Sequence, residues 1–263
     1  MKRLILAAVL AAGAIGATGA AQADDALKAA IAGEHRTANA ARDNARHPYE
    51  TLTFFGIKPT MTVVELVPGG GWYTEILAPY LRDKGKYIAA GAAPDKKGGM
   101  ALRAKLDANP ALYGKATMAV FEPPSRYEIA PSGSVDMVLT FRNLHNWVGD
   151  GDAALATTFK EIHKVLKPGG VLGLVDHRLP VAMKQDAKAS SGYVHEAYVI
   201  KLAEDAGFKL AGKSEVNANP KDKADHEKGV WTLPPVLANK DKDREKYMAI
   251  GESDRMTLKF VKQ

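Results

Sequence analysis

Short apolar runs separated by helical patterns make up most of the chain after residue 60. Five runs rich in β-branched and other apolar residues predict buried strands, at residues 63–67, 85–91, 117–121, 134–141 and 171–175. Between them apolar residues return every three or four positions, which predicts amphipathic helices, at residues 76–81, 101–106 and 157–166. Strands that alternate with helices are typical of an α/β protein with a parallel sheet. Residues 208–216 and 256–261 alternate in polarity and predict a closing pair of strands.

A glycine cluster, residues 69–71, joins the first predicted strand to the first predicted helix. Glycine takes positive φ and lets the backbone lie against a ligand without a Cβ clash. The helix that follows directs its free N–H groups and its positive dipole end at the same point. Together these features predict a site for a nucleotide-like cofactor at the C-terminal ends of the strands. A tight strand-to-helix turn that binds no ligand is the alternative.

The acid ahead of the glycines decides between cofactor classes. The spacing Glu65-x-x-x-Gly69-x-Gly71 resembles the first motif of the class I S-adenosylmethionine-dependent methyltransferases. One departure is Val67, which stands where that family usually has its first glycine. The dinucleotide pattern G-x-G-x-x-G would need a glycine at Thr74, so a dehydrogenase is the weaker interpretation.

Two further features resemble the same family. Asp136 begins the fourth strand, and residues 166–170 read Leu-Lys-Pro-Gly-Gly, as in the turn before the family's fifth strand. These motifs follow the family's order over residues 60–178. The resemblance implies an α/β, Rossmann-like fold with a seven-stranded, mostly parallel sheet, in which the last strand is antiparallel between the fifth and the sixth.

The resemblance also implies a methyltransferase that uses S-adenosyl-L-methionine. The positions that match the family's cofactor contacts are Glu65, Pro68, Gly69, Gly70, Gly71, Tyr73, Asp95 and Glu122. The family places an acid at the end of the second strand to bind both ribose hydroxyls, whereas this chain has Gly91. Either Asp95 reaches back from the next loop, or ribose binding is weakened.

Polar side chains follow the fourth and fifth strands directly, and strand ends face the ligand crevice in such sheets. They are Arg142, Asn143, His145, Asn146, Trp147, Asp176, His177 and Arg178. We expect these groups to line one positive cavity, for an anionic or strongly polar acceptor or for an acidic partner within the protein. His145 is the candidate general base and His177 the reserve, and the other six are candidate substrate contacts. A histidine that only caps the next helix is the alternative.

The N-terminus has the pattern of a secretory signal peptide. Lys2 and Arg3 precede an apolar stretch, and Ala21-Gln22-Ala23 forms a cleavage site. We therefore expect a periplasmic or secreted protein of residues 24–263, with an uncleaved anchor as the alternative. Residues 24–47 predict a helix that ends before Pro48 and that either closes over the cofactor or only packs.

Composition excludes several functions. The chain has 36 basic and 30 acidic residues, and without Lys2 and Arg3 the net charge falls from +6 to +4. This charge is too small and too evenly spread to favour nucleic acid. The chain has no cysteine, which excludes disulfides and thiolate chemistry.

The 240 residues after the predicted signal peptide have the length of a single domain. Within this domain, residues 217–250 form an insertion that we expect to act as a lid.

Two other function classes compete with methyl transfer. A metal-dependent hydrolase could use Asp176, His177, His195 and His226, but no pair has the spacing of H-E-x-x-H, and we expect no metal. An exported binding module could keep the fold without catalysis, and Gly91 favours that interpretation. In either case a small molecule is the expected ligand.

Overall fold

The computed structural model describes residues 24–263, so the predicted signal peptide, residues 1–23, lies outside the described residues. Helices cover both faces of one sheet. The strands are β1 (Thr62–Leu66), β2 (Lys86–Gly91), β3 (Thr117–Glu122), β4 (Arg126–Glu128), β5 (Val135–Phe141), β6 (Leu166–His177), β7 (Phe208–Ser214) and β8 (Arg255–Lys262).

The helices fall into two groups by length. The longer α-helices are α1 (Asp25–Ile31), α4 (Pro48–Phe55), α5 (Thr74–Leu81), α6 (Lys97–Asp107), α9 (Asp152–Val165), α10 (Glu196–Asp205) and α11 (Arg244–Ile250). The short ones are α2 (Thr37–Ala40), α3 (Asp43–Arg46), α7 (Pro110–Tyr113) and α8 (Leu144–Val148), with 3₁₀ turns at Glu34–Arg36 and Gly229–Thr232. In residues 24–263 no helix is both long enough and apolar enough to cross a membrane.

The sheet has the order β4-β3-β2-β1-β5-β6-β8-β7. Strands β1, β2, β3, β5 and β6 run parallel, and β8 lies antiparallel between β6 and β7. The predicted α/β fold with an antiparallel last strand is therefore confirmed, and the count differs by one. The additional strand, β4, is a three-residue edge strand that pairs with β3, and it is too short to show a polarity period in the sequence.

The parallel strands are apolar because both faces of the sheet are covered. Successive side chains of a strand point to opposite faces, so Val63 packs with residues of α1, α4 and α5, while Val64 packs with residues of α8, α9 and α10. Both side chains are fully buried. The two cores fix the sheet, so the C-terminal ends of β1, β5 and β6 lie side by side and position the polar segments that follow them.

The prediction of a single helix over residues 24–47 is wrong. The structure breaks this region into α1, a 3₁₀ turn, α2 and α3. Gly33 interrupts the helix, and Arg36 then turns back to hydrogen-bond the Ile31 carbonyl oxygen and both carboxylate oxygens of Asp43. The predicted end before Pro48 is confirmed, since Pro48 is the first residue of α4. As a result, α2 and α3 lie near the glycine loop.

The segment 217–250 contributes no strand to the sheet. It folds around Asp222, which accepts hydrogen bonds from the Tyr193 hydroxyl at 2.9 Å and from the backbone amides of Ala224 and Asp254 at 2.9 and 2.8 Å. These bonds tie the insertion to the residues just before β8. Its action as a lid stays a prediction.

Candidate active site

The glycine loop leaves β1 through strained backbone. Val67 has φ of 47°, and Gly69 and Gly71 have φ of 58° and 75°. A β-branched residue rarely takes positive φ, and such strain concentrates at functional sites. Val67 thus holds a left-handed conformation, which glycine adopts at lower cost, at the position where the family that the sequence resembles usually has its first glycine. A Cβ atom added to Gly69 would meet no atom within 4 Å, so the loop backbone faces open space.

Glu65 is buried beneath this loop, with 3% of its surface exposed. Its Oε2 atom accepts hydrogen bonds from the Tyr87 hydroxyl at 2.5 Å and from the Thr74 hydroxyl at 3.0 Å. Burial raises the pKa of Glu65 to about 7, against the lowering effect of these hydrogen bonds and of the nearby Arg142 and Arg46. The acid therefore joins β1, β2 and the start of α5 and orders the loop.

A cavity of about 230 Å³, here called the loop cavity, opens between the glycine loop and the N-terminal segment. Tyr73 and Phe141 stack on one side with ring centroids 3.5 Å apart. The lining residues are Asn39, Arg42, Arg46, Glu65, Val67, Pro68, Gly69, Gly70, Trp72, Tyr73, Phe141, Arg142 and Asn143. Five of the eight predicted cofactor residues, namely Glu65, Pro68, Gly69, Gly70 and Tyr73, thus meet in one cavity, whereas Gly71 lies against the Lys105 side chain.

A second, mostly apolar cavity of about 430 Å³, the outer groove, lies on the other side of the same loop. It is lined by Val67, Pro68, Gly69, Gly70, Gly91, Ala92, Lys97, Gly98, Ala101 and Leu102. The loop cavity and the outer groove share residues 67–70, so one elongated ligand could lie across the loop. Gly91, at the end of β2, lines this groove and stands where the family that the sequence resembles has its acid.

Asp95 and Glu122 do not line either cavity. Asp95 is an exposed residue of the turn that follows β2. Glu122 accepts a hydrogen bond from the Ala93 amide at 3.3 Å and pairs with Lys96 at 2.8 Å, and these contacts lower its pKa. Internal partners therefore engage Oε1 of the carboxylate that the sequence assigned to the adenine, whereas Oε2 makes no hydrogen bond among the described residues.

A third cavity of about 260 Å³, the histidine cavity, lies beyond the ends of β5 and β6. Its lining residues are Arg42, Arg46, Arg142, His145, Asn146, His177, Val230, Trp231, Pro234, Pro235, Val236, Glu252 and Ser253. The rings of His145 and His177 lie 5.1 Å apart at their centroids. The expected convergence of the two strand ends is confirmed for Arg142, His145, Asn146 and His177, and the expected approach of residues 252–255 is seen at Glu252 and Ser253.

Asp176 holds His145 in place from below the cavity. Its Oδ1 atom lies 2.8 Å from His145 Nδ1, and its oxygens also accept the backbone amides of His145 at 3.1 Å and His177 at 2.8 Å. The neighbouring histidines lower the pKa of Asp176 against its burial, so the carboxylate is ionised and can only accept hydrogen bonds. His145 Nδ1 must then carry the proton, which leaves Nε2 as the basic atom, as in a general base oriented by a carboxylate.

His177 is kept neutral. Burial lowers the pKa of its imidazole well below the ordinary value, against the attraction of Asp176, and Nδ1 lies 2.6 Å from the Ser253 hydroxyl. The ligand atoms of His145, Asp176 and His177 lie within 4.8 Å of one another, a spacing that could hold a metal ion. Three hydrogen bonds already occupy the Asp176 oxygens, which leaves about one of their four lone-pair sites, on Oδ2, for a metal. The absence of a metal stays a prediction.

Four candidate substrate residues do not line the histidine cavity, and one of them is Asp176, which is fully buried beneath it. Arg178 lies outside the histidine cavity and pairs with Asp254, Glu215 and Glu196 at 2.9, 2.7 and 3.4 Å, so the expectation that it lines the cavity is wrong. Trp147 is a residue of α8, and its side chain is buried in the core instead of forming a cavity wall. Asn143 lines the loop cavity, but its amide nitrogen donates to the Leu66 carbonyl oxygen at 3.0 Å.

The sequence did not single out several residues that complete these cavities. Arg42 and Arg46 come from α3 and the turn before it, and Trp231 comes from the insertion, where its ring lies 6.1 Å from that of His145. The Arg46 guanidinium lies over the Trp72 ring at 4.5 Å. Clustered arginines in residues 36–46 were a visible signal, but which of them turn inward depends on the breaks in that segment.

Comparison with known proteins agrees with this geometry. A family model described as a methyltransferase domain matches residues 64–174, which span the glycine loop through β6. No curated protein sequence matches the chain significantly. Among solved structures, an S-adenosylmethionine-dependent methyltransferase from Aquifex aeolicus superimposes with a TM-score of 0.56 at 20% identity, over 84% of this chain and 92% of that one.

Two further structures have the same fold. The [4+2]-cyclase SpnF matches with a TM-score of 0.57 at 14% identity, over 83% of this chain and 80% of that one. The trans-methyltransferase CalH, solved with S-adenosylhomocysteine, matches with a TM-score of 0.52 at 14% identity, over 82% of this chain and 55% of that one. The chain therefore has the α/β Rossmann-like fold of the S-adenosylmethionine-dependent methyltransferases, and residues 64–174 match a methyltransferase-domain family.

Proposed function

We propose that this protein is an S-adenosylmethionine-dependent methyltransferase that acts on a small molecule. The main observation in support of this proposal is that three cavities adjoin one another around the glycine loop and the ends of β5 and β6. The loop cavity suits the amino-acid part of the cofactor, because it is polar and bounded by the Gly69 and Gly70 backbone. The apolar outer groove suits the nucleoside, and the shared residues 67–70 join the two.

The acceptor would occupy the histidine cavity. Arg42, Arg46 and Arg142 line both this cavity and the loop cavity, so a ligand in one lies next to a ligand in the other. When bound, S-adenosylmethionine supplies an electrophilic methyl group on a sulfonium sulfur. Most of the acceleration of such an in-line transfer comes from alignment, which the rigid strand ends and the stacked Tyr73 and Phe141 would provide.

The chain's own acid–base chemistry resides in the Asp176–His145 pair. His145 Nε2 is positioned to take the proton of an acceptor hydroxyl or amine as that atom bonds to the methyl carbon. Asp176 fixes the tautomer and stabilises the imidazolium that forms. His177, held neutral by burial, could donate or accept one hydrogen bond to orient the acceptor.

Binding of S-adenosylhomocysteine to the mature chain, measured by calorimetry, tests the cofactor site without a known acceptor. Gly69→Val should abolish binding, because its side chain would enter the open space that the loop faces. Gly133→Val is the matched control, since Gly133 has φ of 63°, also has no atom within 4 Å of an added Cβ, and does not line the three cavities. Equal affinity in both variants, or no binding by the unaltered protein, would contradict the proposal.

A binding module without catalysis is the second candidate. Gly91 favours weak cofactor binding, because the end of β2 then has no carboxylate for the ribose hydroxyls. SpnF is named as a cyclase, so this fold need not transfer a methyl group. A screen of acceptors with methyl-labelled cofactor separates the two candidates. Product formation that is lost in His145→Ala supports the enzyme, and tight binding of an acceptor without label transfer supports the module.

We also propose that the protein is exported. The basic start, the apolar stretch and the A-x-A site before Asp24 support this proposal. Cell fractionation followed by N-terminal sequencing tests it, and a mature protein that begins at Asp24 is the expected result. Retention of residues 1–23 on a membrane-bound protein would instead indicate an anchor.

A further inference from the structure

Four arginines converge where the loop cavity meets the histidine cavity. This arginine cluster consists of Arg42, Arg46, Arg142 and Arg255. Within it, burial together with Arg142 and Arg42 lowers the pKa of Arg46, and burial together with Arg255 lowers that of Arg142. The members are therefore close enough to repel one another in a water-poor environment.

The cluster has too few carboxylates to neutralise it. Among residues 24–263, Glu252 is the one carboxylate that forms ion pairs with these arginines, at 2.7 Å from Arg42, 3.1 Å from Arg255 and 3.7 Å from Arg46. Because one carboxylate serves these cations, the four arginines keep about three positive charges. Glu65 offsets only part of one further charge near neutral pH, since burial raises its pKa to about 7 and the carboxyl is then half ionised.

Three members have hydrogen-bonding capacity to spare, and in Arg255 this is the buried Nε atom. Arg46 is 2% exposed, and its Nε and Nη1 atoms have no hydrogen-bond partner among the described residues. The Arg142 guanidinium makes no hydrogen bond or ion pair within residues 24–263, although it lines both cavities and its backbone has φ of 60°. Buried donors without partners, such as those of Arg46, cost stability unless a ligand satisfies them. Arg142 is half-buried, so a ligand in either cavity can reach its guanidinium.

Arg178 is an arginine at a comparable strand end whose guanidinium is fully paired with carboxylates. Like Arg142 it follows a central strand, but it hydrogen-bonds both oxygens of Asp254 and both oxygens of Glu215. The neighbouring Arg142 lacks any such partner in the part of the chain that the structure describes. The shortage of carboxylates is therefore specific to the cavity side.

We infer that the ligand of the histidine cavity is a small anion-bearing molecule whose carboxylate or phosphate group binds Arg46 and Arg142. The inference rests on the proposed function for the role of this molecule as methyl acceptor. S-adenosylmethionine itself carries one net positive charge, so its binding would add to the excess beside the cluster. An anionic acceptor removes that excess and lets both substrates bind together.

The acceptor can be described further by the cavity. About 260 Å³ is at the small end of ligand sites, which favours a small acceptor over a macromolecular one. The anion would be held on the arginine side. A protic nucleophile elsewhere on the molecule would face His145 Nε2, while Trp231 and the adjoining prolines give an apolar wall. The chemical class is thus a small carboxylate or phosphate that also bears a hydroxyl or amine.

Inorganic phosphate is the probe for this site, titrated by calorimetry into the mature protein, alone and with saturating S-adenosylhomocysteine, at ionic strength fixed with sodium chloride. The principal variant is Arg142→Asn, because asparagine takes the left-handed conformation more readily than most residues. Arg142→Lys keeps the charge but loses the fork of donors. Arg178→Asn is the matched control, since it removes a strand-end arginine that the fold already pairs.

We expect phosphate to bind in both conditions, and about tenfold or more weakly to Arg142→Asn, since charge-assisted hydrogen bonds are lost. The same variant should melt no lower than the unaltered protein, because it removes an unpaired cation. Arg142→Lys should bind at an intermediate level. Arg178→Asn should melt lower and bind phosphate as before.

Three results would overturn the inference. The first is that phosphate binds Arg142→Asn and the unaltered protein with equal affinity. The second is that sodium chloride alone gives the same calorimetric signal as phosphate. The third is that phosphate and S-adenosylhomocysteine compete for binding. Competition would mean that the arginines hold the carboxylate of the cofactor. Phosphate binding without any S-adenosylhomocysteine binding would support the anion site and overturn the methyltransferase proposal, so the two failures are distinguishable.

Discussion

Replacing Glu65 by glutamine should make the protein more stable at alkaline pH and leave it almost unchanged at acid pH. In the fold, Glu65 Oε2 accepts the hydroxyl protons of Tyr87 and Thr74, and the glutamine carbonyl oxygen can accept both bonds in its place. Glutamine has nearly the shape of the protonated acid but never ionises. The substitution therefore removes the cost of burying a charge beneath the glycine loop.

The size of the effect follows from the pKa of Glu65, which burial raises from 4.5 to about 7. Between these values the folded protein holds a proton that the unfolded chain has lost, so the free energy of unfolding falls as the pH rises and is constant above 7. Each pH unit is worth about 1.4 kcal/mol, which gives a total of about 3 kcal/mol. Burial lowers the pKa of His177, so its contribution makes the free energy of unfolding rise with pH. This contribution is the same in both proteins and cancels when their free energies of unfolding are subtracted.

Urea denaturation of the unaltered protein and of Glu65→Gln at several pH values from 4.5 to 8 measures this difference directly. The stability gained by the variant should increase through the window by about 3 kcal/mol and then stay constant. Glu50→Gln, at an exposed position of α4, is the control and should give no such trend. A difference that does not change with pH, or a variant less stable at pH 8, would show that Glu65 is already ionised in the folded protein.

Two further substitutions probe the groove and the histidine pair. Gly91→Asp should tighten S-adenosylhomocysteine binding several-fold in calorimetry, because the new carboxylate could accept hydrogen bonds from both ribose hydroxyls. The side chain has room, since an added Cβ would lie 3.5 Å from Pro68, an ordinary contact distance. Unchanged affinity would mean that the ribose binds elsewhere. Asp176→Asn should lower the free energy of unfolding by about 2 kcal/mol or more, because an amide nitrogen cannot accept the donors that Asp176 now satisfies. Asp95→Asn is the exposed control, and equal melting of the two variants would contradict the assignment.

The features of the fold that could be predicted from the sequence are those that depend on residue type and spacing within one element. The runs around Val64 and Val138 are mostly apolar and have no polar period, which is typical of a strand covered on both faces, and the glycines after Glu65 mark the turn into α5. The polarity periods of residues 208–216 and 256–261 likewise predicted the closing strands. Parallel strand ends share one edge, so the convergence of His145 and His177 also followed from their positions in the sequence.

Contacts distant in sequence decided the rest. Arg142 and Arg178 each follow a central strand, yet only tertiary structure gives Arg178 two carboxylates from beyond residue 214 and leaves Arg142 without one. The entry of Arg46 into the site depends on breaks between short helices, and the pKa of Glu65 depends on burial by elements far along the chain. Periodicity reports which face of an element is buried, whereas charge balance and pKa depend on the neighbours that the complete fold brings within a few ångströms.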